Sequence, residues 1–408
     1  MAHEKDFAAR PQSTADPEHP NGRAQLPTNV KLLGWTSLLN DTASEMIFPL
    51  LPAFFIGVLG GTKTQLGFAE GLADSVASLV KLWSGGWSDR TGSRKGFVFF
   101  GYSLAAMARP LLAVAAFPWQ AIAIRAIDRF GKGIRAAPRD ALIADATDPK
   151  FRGRAFGFNR AMDHLGAAIG PLFAAAFLWF WPDDVRVLFA LTLVPGLAVM
   201  AIVLFGLRDR RFAPVQRTAF MLTLKPFDRN FRLYLLTLVV FTLGNSSDAF
   251  LLLRAQDLGV ETWQLPLLWC AFHLVKSSAT LVGGRAADRF GPRPLIFLGW
   301  GLYAIIYLAF ALATSAWQAW VIFLIYGLFF ALTEPAEKAL VANIVGPDRK
   351  GLAFGWFNFA IGVVALPSSV IFGWLYEQQG AFVAFGWGAA LSALAMLMLV
   401  AVRPGARR

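Results

Sequence analysis

Apolar stretches, each long enough to cross a bilayer, follow one another along this chain at short polar intervals. They run over 31–59, 66–88, 96–117, 119–144, 154–179 and 186–207, and again over 231–253, 264–286, 294–314, 317–343, 351–374 and 381–402. A membrane-spanning helix needs about 20 predominantly apolar residues. The pattern therefore predicts an all-α membrane protein with twelve transmembrane helices in two sets of six. The longest break, 208–230, is rich in Arg and separates the sets. The expected organisation is a disordered cytoplasmic tail over 1–27, a six-helix bundle over 28–207, a cytoplasmic linker over 208–230, a second bundle over 231–403 and a short tail over 404–408. The first tail is polar and lacks the apolar core of a cleaved signal peptide.

The polar breaks alternate in charge. One set carries Arg90, Arg94 and Lys95; Lys150, Arg152 and Arg154; Arg208, Arg210 and Arg211; Arg289 and Arg293; and Arg349 and Lys350. The alternate breaks, around Trp119, Trp263, Trp317 and Glu377, hold almost no Lys or Arg. Short basic loops stay on the cytoplasmic side. This expectation puts both termini in the cytoplasm and the tryptophans in an outer interfacial belt.

Composition agrees with a membrane class. Of 408 residues, 56% are hydrophobic and only 16% charged, with a net charge of +12 and one cysteine, Cys270. Soluble domains carry about 25% charged residues, so a soluble nucleic-acid-binding protein is excluded and no nucleic-acid partner is expected. A disulfide scaffold is excluded by the single cysteine. No Gly-x4-Gly-Lys-Ser/Thr phosphate loop and no Gly-x-Ser-x-Gly element occurs. An enzyme is not expected: no cofactor and no catalytic residue is assigned, and no metal ligand set stands out among the four histidines.

The two sets repeat one another. Gly85, Asp89, Arg90, Gly92 and Arg94 recur 199 residues later (284 − 85) as Gly284, Asp288, Arg289, Gly291 and Arg293. Ala155-Phe156-Gly157 recurs as Ala353-Phe354-Gly355. Both copies of the first motif fall after a second-type helix, so the repeats are parallel, about an axis along the membrane normal.

With these residues in view, the chain resembles the major facilitator superfamily over about residues 30–403. The loop signature Gly-x-x-x-Asp-Arg-x-Gly-Arg-Arg/Lys reads here from Gly85 to Lys95, its first Arg arriving one place late behind Ser93. A motif of superfamily antiporters, Gly-x8-Gly-x3-Gly-Pro in the fifth helix, is matched by Gly157, Gly166, Gly170 and Pro171, without the family's later paired Gly. The resemblance implies a major facilitator fold of two pseudo-symmetric six-helix bundles in a bacterial inner membrane. It implies proton-driven export by alternating access, with uptake by the same fold or a non-transporting receptor as alternatives.

Ionisable groups are costly inside a membrane and mark function. Asp41 with Glu45, and Glu70 with Asp74, each share a helix face at i,i+4; Arg160 at i+3 and i+4 can face Asp163 and His164. Proton coupling is expected of Asp41, Glu45, Asp74, Asp163 and His164, the histidine because it titrates near neutral pH. The substrate cavity is expected from Asn40, Arg125, Arg160, Asn245, Asp248, His273, Lys276 and Asn358. A cytoplasmic gate is expected from Asp89, Arg90, Asp128, Arg129, Arg135, Asp288, Arg289, Glu334, Glu337 and Lys338. Because the intramembrane charges have both signs, the expected solute is small and polar, anionic or zwitterionic. The bilayer, protons and that solute are the expected partners of a monomer.

Overall fold

The computed structural model describes residues 26–182, 184–208, 223–345 and 349–403. Most of the expected first tail and of the linker, and the tail over 404–408, lie outside the described residues. Among the described residues, twelve helical rods follow in chain order. The first six are α1 (Thr28–Val58), α2 (Lys63–Thr91), α3 (Lys95–Val114), α4 (Pro118–Asp145), α5 (Arg152–Phe180) and α6 (Val185–Gly206). The second six are α7 (Arg229–Asp257), α8 (Gln264–Phe290), α9 (Pro292–Leu312), α10 (Ala316–Ile344), α11 (Lys350–Gln379) and α12 (Ala381–Leu399). Ten are long and apolar enough to cross a membrane; α2 and α4 are not among those ten.

Each half uses the same pairings. In the first, α1 packs on α5 and α6, α2 on α4, and α3 on α4 and α6; in the second, α7 packs on α11 and α12, α8 on α10, and α9 on α10 and α12. The halves meet chiefly along two seams, α2 with α11 and α5 with α8, with smaller contacts of α1 on α7 and α8. These seams exchange under the pseudo-two-fold, since α2 corresponds to α8 and α5 to α11.

Local chemistry repeats as well. Asn29 at the start of α1 exchanges two hydrogen bonds with the backbone of Arg208, and Asn230 at the start of α7 does the same with Arg403. The Lys95 ammonium donates to the carbonyls of Leu204 and Leu207 at 2.8 and 2.7 Å. Arg293 donates to those of Leu399 and Val400. A cation thus satisfies the orphan carbonyls that end α6 and α12, where the helix dipole is negative. The repeated loop glycines, Gly92 at φ 66° and Gly291 at φ 88°, occupy the left-handed region that lets α2 and α8 stop and turn.

Breaks in the rods follow from the sequence. Pro49, Pro52 and Pro110 accompany irregular turns in α1 and α3, since a proline lacks the N–H that an α-turn needs. Rod α7 is interrupted between Gly244 and Ala249. The Ser368 hydroxyl of α11 sits 3.1 Å from both the Leu243 and Asn245 carbonyls there, and the Tyr303 hydroxyl reaches the Gly244 carbonyl at 3.4 Å. Non-helical backbone at membrane depth persists where protein groups satisfy it or where it lines a cavity; both hold here.

Candidate functional site

A cavity of about 1050 Å³ lies between the halves. Its first-half wall is α1, α2 and α4; its second-half wall is the interrupted part of α7 with α8, α10 and α11. The lining runs from Glu45, Glu70, Asp248 and Trp269 near mid-rod to Asp89, Arg94, Asp145 and Arg152 at the basic-loop end.

The opposite end is shut by the α2–α11 seam. Glycines let the rods touch backbone to backbone: a Cβ on Gly67 would collide with the Ser369 carbonyl, and one on Gly373 with the Lys63 carbonyl. At the tip, the Glu377 carboxylate accepts the Thr64 N–H at 2.9 Å and the Thr64 hydroxyl. Lys63 pairs with Asp257 at 3.5 Å and lies 3.8 Å from the centre of the Tyr376 ring, whose hydroxyl donates to Asp257 at 2.7 Å.

Behind the first-half wall runs a buried polar chain. Arg125 grips Glu70 through two bonds of 2.7 and 2.8 Å and approaches Asp128 at 3.6 Å. Asp128 accepts from Arg109 at 2.9 Å. Arg109 also donates to the Asn40 carbonyl and to its side-chain oxygen, at 3.0 and 3.1 Å. The Asn40 amide donates to Asp41 at 2.8 Å. Two cations and two carboxylates at its centre cancel, which removes the penalty of an unpaired charge in low dielectric.

In front of that chain the side chains are uncompensated. Asp74, Lys81, Arg129 and Lys132 line the cavity. None of them closes an ion pair among the described residues. Glu45 also faces the cavity and accepts the Trp269 indole N–H at 2.7 Å, across the halves. The second-half wall is mostly neutral: Asn245, Ser246, Ser247, Asn358 and Ser369 with Tyr326 and Phe330. Its one carboxylate, Asp248, accepts from the Tyr326 hydroxyl at 2.7 Å.

Of the residues expected in proton coupling, Glu45 and Asp74 line the cavity. Asp41 lies at the end of the buried chain, Asp163 meets Arg139 at 3.7 Å, and the His164 ring lies 3.2 Å from the Ser277 hydroxyl. Of the expected substrate residues, Asn245, Asp248 and Asn358 line the cavity. Asn40 and Arg125 belong to the chain behind it. Arg160 reaches Glu334 at 3.5 Å, and Lys276 stacks on Phe330 at 3.6 Å beside His273.

The expected gate residues divide. Asp89 and Arg129 line the cavity. Arg94 joins Asp89 at 3.3 Å to Asp145 at 3.0 Å, tying the end of α2 to that of α4. Arg90, Asp288 and Arg289 sit in the last turns of α2 and α8. Asp128 and Arg135 are instead sealed inside the first half, Arg135 over the Tyr102 ring at 4.4 Å. Glu334 lies between Arg160 and Lys338, whose ammonium is 3.3 Å away; Glu337 turns inward to the Trp300 indole at 3.2 Å. In the fifth-helix motif, Gly166 and Gly170 bring α5 onto the Leu38 and Thr42 carbonyls of α1, next to Asp41 and Glu45, whereas Gly157 faces open space. Pro171 is buried.

Arg109 is a buried cation that the expected site omitted. A charge inside an apolar run was the available signal, and Arg109 carries it beside Pro110. Trp269, Tyr326 and Phe330 gave no such signal, because nothing in a sequence separates a cavity aromatic from a core aromatic.

The sequence profile of the Major Facilitator Superfamily matches residues 33–275 and 233–408. The chain belongs to this superfamily. It is a multi-pass transporter of the bacterial inner membrane, not an enzyme. Its work is secondary transport of small molecules. An uncharacterized MFS-type transporter of Methanocaldococcus jannaschii is 30% identical over 382 residues, covering 92% of this chain and 95% of that one. A multidrug resistance protein of Cronobacter sakazakii is 24% identical over 344 residues, covering 81% and 82%. Among solved structures, a peptide transporter in complex with sulfate superposes with a TM-score of 0.75 at 13% identity, covering 92% of this chain and 94% of that one. At that identity the likeness speaks for the major facilitator fold alone.

Proposed function

We propose that this transporter exports a small polar, anionic or zwitterionic solute by proton antiport. The observation that carries the reading is the set of cavity-facing carboxylates, Glu45, Asp74 and Asp248, held by no ion pair among the described residues. Such a group can take up a proton, and the site changes charge when it does. On the inside-positive orientation the basic-loop end is cytoplasmic, so the cavity opens to the cytoplasm. Solute enters there, the Arg160–Glu334 and Arg94–Asp89–Asp145 contacts rearrange, the α2–α11 seam opens, and outer protons displace the solute. The close packing of α5 on α1 through Gly166 and Gly170, and the likeness to a multidrug resistance protein, favour export. The test is a screen of radiolabelled polar solutes in liposomes holding the full-length protein, with and without a pH gradient. Solute moving against the proton flow supports antiport; solute moving with it supports uptake by symport; no flux of any solute supports a receptor.

A further inference from the structure

The uncompensated charges have a layout that bears on the solute itself. Arg129 and Lys132 stand three apart on α4, so they share a face, and both line the cavity. They act electrostatically on both Glu45 of α1 and Asp74 of α2, yet no cation comes within 4 Å of either carboxylate among the described residues. The Arg129 Nε is buried and has no hydrogen-bond partner. Unpaired charges of both signs thus stand side by side on one wall. The wall across from them carries aromatic rings among neutral polar side chains, and its one carboxylate, Asp248, is held by the Tyr326 hydroxyl. Trp269 packs against Phe48 with ring centres 4.8 Å apart, and Tyr326 against Phe330 at 5.2 Å.

From this arrangement we infer that the solute is a zwitterion with a planar apolar body, its acidic group seated on Arg129 and Lys132, its amino group on Asp74, and its body on Trp269, Tyr326 and Phe330. Each part has a physical complement. Guanidinium and ammonium groups donate to an acid, a free carboxylate accepts from an ammonium, and ring faces take a flat apolar surface.

The inference rests on the antiport reading and accounts for its sign. A proton and a solute ammonium cannot both occupy the Asp74 carboxylate, so protonation expels the amino end and the two ligands exchange. A solute with only an acidic group would be held more tightly once Asp74 was neutralised. That coupling would carry proton and solute in the same direction.

The test is equilibrium binding to the purified full-length protein by calorimetry, at neutral pH and without a gradient. The probes are 4-(aminomethyl)benzoate, 4-methylbenzoate and 4-methylbenzylamine. The zwitterion is expected to bind about tenfold or more tightly than either singly charged analogue, within the range of a charge-assisted contact. In R129Q/K132Q its advantage over the amine disappears, while in D74N its advantage over the acid disappears. Thermal melts of both variants report that the fold is kept. Equal binding of a singly charged analogue, unchanged preferences in the variants, or no binding of any probe overturns the inference. Failure of antiport itself would show separately, as absent proton-driven flux in liposomes with the binding preferences intact.

Discussion

Arg125 on α4 and Glu70 on α2 hold one another through two parallel hydrogen bonds of 2.7 and 2.8 Å, both residues almost fully buried. The pair is the hinge between the silent and the working charges of the first half. Glu70 reaches the cavity edge, while Arg125 turns its back to it and joins Asp128 and Arg109.

Breaking that pair leaves an uncompensated buried charge, which costs about 3–5 kcal/mol. Glu70→Gln or Arg125→Gln alone should lower the melting temperature of the detergent-purified protein sharply. Glu70→Leu with Arg125→Met should recover most of the loss, because Arg109 still neutralises Asp128. A double variant as unstable as the single ones would show that the pair does more than balance charge.

The glycines of α5 should separate by position. A Cβ at residue 166 or 170 runs into an α1 carbonyl, and one at 157 meets nothing. Gly166→Ala and Gly170→Ala should each cost about 1–3 kcal/mol through overpacking, read as lower melting temperature and yield. Gly157→Ala should stay within about 0.5 kcal/mol of the parent. Equal tolerance at all three positions would contradict the close α1–α5 contact.

Opening of the α2–α11 tip should answer to Glu377. Its carboxylate caps the start of α2 from the other half, a contact of about 1 kcal/mol. Glu377→Gln with Thr64→Val should therefore shift the equilibrium toward the state open at that end by roughly fivefold. Spin labels at positions 58 and 378, in a Cys270→Ala background, would report it as a longer distance population. An unchanged distribution would mean that the glycine contacts alone hold the seam.

Asp74→Asn should uncouple transport without unfolding the protein, since Asp74 faces the cavity and closes no ion pair among the described residues. Flux driven by a pH gradient should fall by about tenfold, within the usual range of coupling between two ligands. Solute exchange at equal pH should continue once the solute concentration is raised to offset the weaker binding expected of this variant. Retained proton-driven flux would move the coupling role to Glu45.

Much of this fold was legible in residue order. The twelve rods begin and end within a few residues of the apolar runs, and the 199-residue echo foretold that α2 and α8, with their loops, would be equivalent. Charged α2 and α4 were legible as spans only because their neighbours and the repeat required them. The candidate site was legible in part. Asn245, Asp248 and Asn358, expected in the cavity, line it together with Asp74 and with Arg129, which was expected at the gate, whereas Arg160, Asp163 and His164, expected to face one another, each meet a partner on a different rod. The reason is that neighbours at i+3 and i+4 gain only about 0.2–0.5 kcal/mol, too little to hold a side chain on its own helix when packing brings a partner on another rod within reach.

The sequence by itself therefore determined the rods, their count and their two-fold repetition, because lipid forces every backbone polar group to be satisfied within its own helix. Only the tertiary structure decided which intramembrane charges cancel and which remain free. Arg109, Arg125, Asp128 and Glu70 meet through helix packing and fall silent, and Asp74, Arg129 and Lys132 are left facing the cavity. Charge neutralisation depends on distances between rods, and those distances are set by residues that carry no charge at all, such as Gly101 and Gly131 where α3 meets α4 and Gly133 where α4 meets α2.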